Sequence, residues 1–184
     1  VLGNYSLHYV GGVPGPELSA DYFGEFSKLV ARDVAPGDPA FVAMLTNGTS
    51  GDVNNIDFVH PRPRAQPYER IGQVAGKLAG QAASAVRAVE YQDAAPIRMA
   101  EKVLRLAYRR PTPEQLKFAK AALEEKDETK LPRNAKAYAE RALKLDSGPA
   151  FADLKLQALR IGALGITTIP CEVFTEIGIT LKEL

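Results

Sequence analysis

The sequence predicts an α/β protein with a mixed sheet flanked by helices. Short apolar runs alternate with amphipathic stretches along the chain, and alternating strands and helices are typical of this class. The 184 residues are 46% hydrophobic and 24% charged, which suits one substantial core better than two domains. The chain opens in a predicted strand and closes in a predicted helix, so residues 1–184 are expected to form a single partial domain.

The first half of the chain contains two predicted strands and two predicted helices. Residues 2–10 alternate loosely in polarity and end in two glycines, as a strand does before a turn. Ser19 or Asp21 can cap the helix that follows. Residues 41–45 form a short apolar run, which is typical of a strand buried on both faces. Across residues 68–89 the i, i+3, i+4 spacing of apolar residues predicts a helix of five turns.

The second half repeats the alternation. Thr112-Pro113-Glu114-Gln115 supplies an N-cap, a proline at the first helical position and a glutamine at the third, which together indicate a helix start. The predicted strands are 97–108, 151–161 and 162–170, and the predicted helices are 113–127, 133–145 and 171–184.

Composition and charge argue against several classes of function. The 23 basic and 22 acidic residues give no positive field for a nucleic-acid backbone, and the basic stretches 60–64 and 108–110 are predicted to be solvated loops. Three prolines in segment 55–68 predict an irregular loop there. No apolar stretch approaches the roughly 20 residues of a transmembrane span. The single cysteine, Cys171, rules out an internal disulfide framework.

Three polar stretches follow predicted strands and mark a candidate site. They lie around His8, at Gly48–Asn55 (GTSGDVNN) and at Glu172, and ligand sites in α/β folds gather at the carboxyl ends of strands. An imidazole and a carboxylate are both acceptable zinc ligands. The alternative is that His8 is a hydrogen-bonded structural residue and Glu172 a helix cap. As metal ligands the two side chains must lie within several ångströms of each other.

The GTSGDVNN loop and its surroundings leave further alternatives open. Asp52 either orients a water or a ligating histidine, or closes an Asx turn. Ser50 carries a hydroxyl, but no G-x-S-x-G elbow surrounds it and no base is assigned to it. Cys171 is either a thiol nucleophile or a buried, inert residue.

Four segments together resemble the catalytic domain of neutral/alkaline non-lysosomal ceramidases. They are NYSLHYVGG with the following LSADYFG, NGTSGDVNN, PYERIGQVAGKLA and IPCEVFTEIG. They occur in the order and at the spacing of that family, and they resemble in particular bacterial ceramidase-like proteins of undefined substrate. The resemblance implies that the chain is part of a larger catalytic domain, and it suggests a secreted or periplasmic location.

The resemblance also implies a zinc-dependent hydrolase of an amide (N-acyl) bond, whose substrate is a sphingolipid or another N-acyl compound. The family binds zinc through two histidines, a glutamate and a tyrosine. His8 matches the second histidine and Glu172 the glutamate, while the first histidine is expected before Val1 and the tyrosine after Leu184. This chain alone is therefore expected to bind zinc weakly or not at all.

One position departs from the family pattern. The family loop continues with a catalytic serine, where this chain has Asn54. An amide cannot act as a serine-type nucleophile, although it can hydrogen-bond a substrate or an oxyanion, and a zinc-activated water needs no serine. Our hypothesis is therefore that Asn54 and Asp52 act in catalysis by positioning the substrate or groups around the metal, and that Gly51, Asn55 and Ser50 bind the substrate. Two alternatives remain open: a catalytically degenerate protein that binds a ligand or partner, and an α/β scaffold of unrelated function.

Overall fold

The computed structural model describes residues 1–60, 63 and 65–184 and has an α/β fold. Five α-helices and five strands lie in the described residues, with one short 3-10 helix at Glu128–Lys130. The helices are α1 (Asp21–Val34), α2 (Glu69–Ala88), α3 (Pro113–Glu124), α4 (Ala135–Ser147) and α5 (Thr175–Glu183). The strands are β1 (Leu2–Tyr5), β2 (Met44–Asn47), β3 (Ile97–Ala107), β4 (Phe151–Ile161) and β5 (Leu164–Thr168). The predicted class, a sheet flanked by helices, is confirmed.

The chain divides into two compact units, one of residues 1–94 with 171–184 and the other of residues 95–170. The first contains the parallel pair β1–β2, and the second contains the antiparallel sheet β3-β4-β5. Parallel and antiparallel pairings therefore lie in two separate sheets rather than in one. The single partial domain expected from the sequence stays a prediction.

Helices α1 and α2 form the core of the first unit. Tyr22, Phe26 and Val30 of α1 are at most 1% exposed, and their spacing of four residues places them on one face. The matching residues of α2 are Ile71, Ala75 and Ala79. The small alanines allow the two helices to approach closely, so burial of the α1 stripe supplies the main hydrophobic stabilisation of this unit.

The start of α1 is fixed by Asp21, one of the two predicted caps. The N-cap residue of α1 is Ala20, and the Oγ of Ser19 accepts the Asp21 N–H at 3.0 Å. Asp21 itself has a left-handed backbone (φ 53) and is 7% exposed. Such a conformation costs on the order of 1–3 kcal/mol in a non-glycine residue, and charge-assisted hydrogen bonds to its carboxylate offset this cost.

Those hydrogen bonds attach the segment after β1 to the helix. The Asp21 carboxylate accepts the N–H of Val10 at 3.0 Å, of Gly11 at 2.8 Å and of Tyr22 at 2.7 Å. The Tyr22 hydroxyl donates to the Leu7 carbonyl at 2.8 Å. Burial, and secondarily the Asp21 charge, raise the pKa of Tyr22, so its hydroxyl stays protonated as a donor. The backbone on both sides of His8 is thereby held in place.

The second unit joins a helical hairpin to the antiparallel sheet. Ala119 and Ala122 of α3 pack against Ala139 of α4. The predicted capping box is confirmed, because the Thr112 N–H donates to Gln115 Oε1 at 2.9 Å and the Gln115 N–H donates to Thr112 Oγ1 at 3.3 Å. β3 and β4 pair along their whole length, from Ile97 opposite Ile161 to Ala107 opposite Phe151.

Several boundaries differ from the prediction. β1 ends at Tyr5, so His8 lies in the loop after the strand, where its N–H donates to the Val53 carbonyl at 3.1 Å instead of joining a ladder. β2 begins at Met44 and its side chains are mostly exposed, so the prediction of a strand buried on both faces at residues 41–45 is wrong. Phe41 and Ala43 pack against the core before the ladder begins, whereas Val42 is exposed. Between β2 and α2 the described residues form no helix or strand.

Two sequence-based predictions cover positions that the structure does not describe. The predicted irregular loop 55–68 and the basic stretch 60–64 include positions 61, 62 and 64, which lie outside the described residues. In the part of the chain that is described, no helix combines the length and apolar character needed to cross a bilayer.

Removal of the Tyr22 hydroxyl tests the attachment of the His8 segment to α1. Tyr22→Phe leaves the buried Leu7 carbonyl without its donor, so the free energy of unfolding should fall by about 1–3 kcal/mol. Urea denaturation measures it, with Tyr91→Phe as control because Tyr91 is 83% exposed. Equal stability of the two variants would contradict the role given to this hydrogen bond.

Candidate functional site

The parallel pairing of β1 and β2 brings two predicted site segments to the same edge of the sheet. The ladder ends where Tyr5 pairs with Asn47, and the Gly48 N–H donates to the Tyr5 carbonyl at 2.9 Å. The His8 N–H then reaches the Val53 carbonyl at 3.1 Å. The His8 loop therefore lies directly against GTSGDVNN, as expected for consecutive parallel strands.

Glu172 reaches the same place by a different route from the one predicted. β5 precedes it in sequence but belongs to the antiparallel sheet, so no shared sheet edge places Glu172 beside His8. The segment after it is held by the GTSGDVNN loop, where the Gly51 N–H donates to the Val173 carbonyl at 2.8 Å. A Cβ at Gly51 would lie 2.9 Å from the Glu172 carbonyl oxygen and also meet the Phe174 ring, so this approach requires glycine.

The imidazole of His8 has a polar partner on each nitrogen. Nδ1 lies 2.5 Å from the Ser50 carbonyl oxygen, and Nε2 lies 2.9 Å from Glu172 Oε1. A carbonyl oxygen can only accept, so Nδ1 carries a proton. In the neutral ring, Nε2 then carries a lone pair that faces the Glu172 carboxylate oxygen. Both atoms are hydrogen-bond acceptors, so they attract each other only if a proton or a metal cation lies between them. The pair is thus either an ion pair or two neighbouring metal ligands.

The donor set fits a zinc ion in part. Two atoms 2.9 Å apart can share one ion whose bonds are about 2.0–2.2 Å long. A metal-bound histidine usually donates its other ring N–H to a carbonyl or carboxylate, as His8 does to Ser50. Among the described residues, however, no group of three or more His, Cys, Asp and Glu side chains could hold a metal ion. His8 and Glu172 therefore supply two ligands, and a complete site needs others.

Asp52 accepts hydrogen bonds from Thr175, a partner that neither of the roles predicted for Asp52 from the sequence included. Its Oδ1 accepts both the N–H and the hydroxyl of Thr175 at 2.8 Å. These hydrogen bonds, led by the one from the backbone N–H, hold the pKa of Asp52 below its usual value. Asp52 thereby caps the first residue of α5 and fixes the segment that carries Glu172. Its assignment to catalysis stays a prediction.

The other predicted residues of the loop differ in exposure. Ser50 is 5% exposed, and its Oγ accepts from Asn47 Nδ2 at 2.8 Å, so its observed contacts are internal. Asn55 donates from Nδ2 to the Val10 carbonyl at 3.3 Å. Asn54 is exposed, as a group that contacts a substrate must be. Cys171 is also exposed, so the alternative of a buried cysteine is wrong.

Sequence reasoning missed three residues that position the site. Asp21 was considered only as a helix cap, and neither Tyr22 nor Thr175 was assigned a role. Thr175 had a detectable signal, since a threonine at the start of an amphipathic stretch often takes part in helix capping. The hydrogen bond between Asp21 and Val10 had no signal in the sequence, because it joins a helix to a loop and forms only in the tertiary structure.

Comparison with protein-family models, with curated proteins and with solved structures found no match to this chain.

Gly51→Ala tests the close approach of the Glu172 segment. The added methyl group collides with the Glu172 carbonyl and the Phe174 ring, so the free energy of unfolding should fall by about 1–3 kcal/mol and hydrogen exchange in residues 171–184 should accelerate. The control is Gly72→Ala in α2, where a Cβ meets nothing within 4 Å and helix propensity should add about 0.5–1 kcal/mol. Unchanged exchange in Gly51→Ala would contradict the packing described.

The Asp52 cap predicts a pH dependence confined to acid. Because folding lowers the Asp52 pKa, its stabilisation is complete above the unfolded value of about 3.9 and is lost as pH falls through the folded value. Hydrogen exchange at the Thr175 amide should therefore lose protection at a pH below about 4 in the native chain. Asp52→Asn should remove this acid-dependent step, and Asp93→Asn, at an exposed position, should keep it.

Proposed function

We propose that this chain contributes two metal ligands to a zinc-dependent hydrolase of an amide bond in an N-acyl compound. One observation carries the proposal: His8 Nε2 faces Glu172 Oε1 at 2.9 Å while Nδ1 is occupied by the Ser50 carbonyl. That arrangement orients the imidazole as histidine ligands are oriented in metal sites. The resemblance of the four segments to ceramidases supports the same chemistry.

The reaction class follows from what such a site can supply. A zinc ion held there would polarise a carbonyl and lower the pKa of a water. His8 and Glu172 would hold the ion, and the Ser50 carbonyl would keep the His8 ring in one tautomer. The amide of Asn54, exposed on the same loop, can donate a hydrogen bond to the carbonyl oxygen of a substrate. Asp52 supports the site by fixing α5.

The metal requires ligands beyond His8 and Glu172. A catalytic zinc ion usually has three protein ligands, and the resemblance implies a further histidine before Val1 and a tyrosine after Leu184. The proposal therefore concerns a protein that contains this chain together with those two ligands. Its substrate class is an N-acyl compound, either a sphingolipid or a smaller N-acyl molecule, and the exchange of the family serine for Asn54 favours a substrate other than ceramide.

The same exchange supports a second candidate function. A protein that keeps the fold and the His8–Glu172 pair but lacks the family nucleophile could bind an N-acyl ligand or a partner without hydrolysing it. The two candidates differ in one measurable property, since both bind their ligand but only the hydrolase releases a free amine.

Zinc stoichiometry is the first test, measured by elemental analysis on the protein with all four implied ligands. We expect one zinc ion per chain, and loss of zinc in His8→Ala and in Glu172→Gln. The matched control is His60→Ala, since His60 is the only other histidine in the sequence and lies 3.7 Å from an Asp57 oxygen through its own Nδ1. It should retain the metal.

Amine release from a panel of N-acyl substrates then separates the candidates. Metal-dependent release that disappears in His8→Ala and persists in His60→Ala supports the hydrolase. Full zinc occupancy without release from any substrate supports the binding protein. An absence of zinc after metal loading, or full zinc retention in both His8→Ala and Glu172→Gln, would refute the metal site itself.

A further inference from the structure

The second unit contains a cleft that takes no part in the His8–Glu172 site. It lies along α3 and α4 and has a volume of about 630 Å³, within the range of small-molecule sites. Ala119 and Ala139 are among its lining residues, and they are 1% and 2% exposed because they pack in the contact between the two helices. Phe118 and Tyr138, also in the lining, are 50% and 60% exposed. The cleft thus offers a largely apolar surface with two aromatic rings open to a ligand.

The charged residues of the cleft are mostly basic. Arg109, Arg110 and Arg141 line it, and Glu114 is the one carboxylate among its described lining residues. Arg110 is engaged at the end of α4, where it donates to the carbonyls of Leu145, Asp146 and Gly148.

The other two guanidinium groups remain available to a ligand. Within the described part of the chain, neither Arg109 nor Arg141 forms an ion pair with a carboxylate. Arg141 lies over the Tyr138 ring, 5.7 Å from its centroid. A guanidinium next to apolar surface matches a carboxylate in geometry and charge.

The apolar surface continues beyond the first cleft. Arg141 and Leu145 also line a second hollow of about 420 Å³, together with Tyr108 and Lys144. Arg141 therefore stands between two apolar hollows, with a second cation beside it. An anionic head bound at Arg141 would have apolar surface within reach of a long tail.

We propose that this cleft binds a single-chain anionic amphiphile, a long-chain fatty carboxylate, with its head at Arg141 and its aliphatic chain against the exposed rings of Phe118 and Tyr138. Charge and shape both favour this occupant. The basic rim selects an anionic head, and two small apolar hollows suit one chain. The inference is independent of the zinc site, because every lining residue lies in residues 95–170.

The test is a titration of the complete ¹⁵N-labelled chain with laurate below its micelle concentration, followed by amide chemical shifts. We expect saturable shifts at Phe118, Tyr138 and Arg141. Dodecanol, which has the same chain without the charge, should bind roughly tenfold to a hundredfold more weakly. Acetate, which has the charge without the chain, should give no saturable shifts.

Substitutions then assign the head site. Arg141→Glu should weaken laurate binding roughly tenfold to a hundredfold, and Arg141→Gln, which removes the charge without reversing it, covers the case in which the reversal impairs folding. Lys120→Glu makes the same charge change on α3 at an exposed position outside the lining, and it should leave the affinity unchanged.

Four results of these laurate experiments would overturn the proposal. They are absence of saturable laurate binding, equal affinity for laurate and dodecanol, equal weakening by Arg141→Glu and Lys120→Glu, and shifts confined to β3, β4 and β5. The last result would mean that laurate binds the exposed side chains of the sheet, such as Met99 and Val103. An acidic amphipathic peptide that binds the cleft more tightly than laurate and displaces it would assign the cleft to a protein partner instead.

Discussion

The first unit depends on the attachment of the His8 loop to the start of α1 through Asp21 and Tyr22. A carboxylate that is 7% exposed accepts three backbone N–H groups, two of them from Val10 and Gly11. Without these partners the buried charge would be costly. The loop N–H groups therefore stabilise the carboxylate, and the carboxylate holds the loop in one conformation. The Tyr22 hydroxyl also donates a hydrogen bond to the Leu7 carbonyl, and the Tyr22 ring packs in the core and anchors the same helix. The position of His8 is therefore set by the hydrophobic packing of α1 against α2.

The GTSGDVNN loop links the three parts of the candidate site. Its Ser50 carbonyl orients the His8 ring, its Gly51 N–H holds the Val173 carbonyl, and its Asp52 caps α5. Backbone groups and one carboxylate thus position His8 and Glu172 from a single short segment. The loop is more than a chain reversal, since each of these hydrogen bonds joins it to a residue far away in sequence. The proposed metal chemistry uses the outcome of that arrangement, a ring nitrogen and a carboxylate oxygen held side by side.

Local patterns predicted the regular elements well and the connections poorly. The α2 periodicity, the capping box at Thr112–Gln115 and the two long strands β3 and β4 follow from neighbouring residues, and all are confirmed. The pairing of strands into two sheets does not follow from such patterns, because it depends on partners that are distant in sequence. For the same reason β1 was predicted too long. Its ladder ends at Tyr5, where the N–H of His8 turns to Val53 rather than to a strand.

The sequence by itself determined the α/β class, the amphipathic helices and the residue types of a candidate site, because periodicity and side-chain chemistry are local properties. The sequence singled out His8 and Glu172 because both follow predicted strands of one sheet. The strand before Glu172 belongs to the other sheet, so that reason does not hold for Glu172. Only the tertiary structure decided that the two side chains meet at 2.9 Å, that Thr175 binds Asp52, and that α3 and α4 leave a basic-rimmed cleft. These features arise from contacts between segments far apart in the chain, and the free energies of packing and hydrogen bonding that select them act only in the folded state.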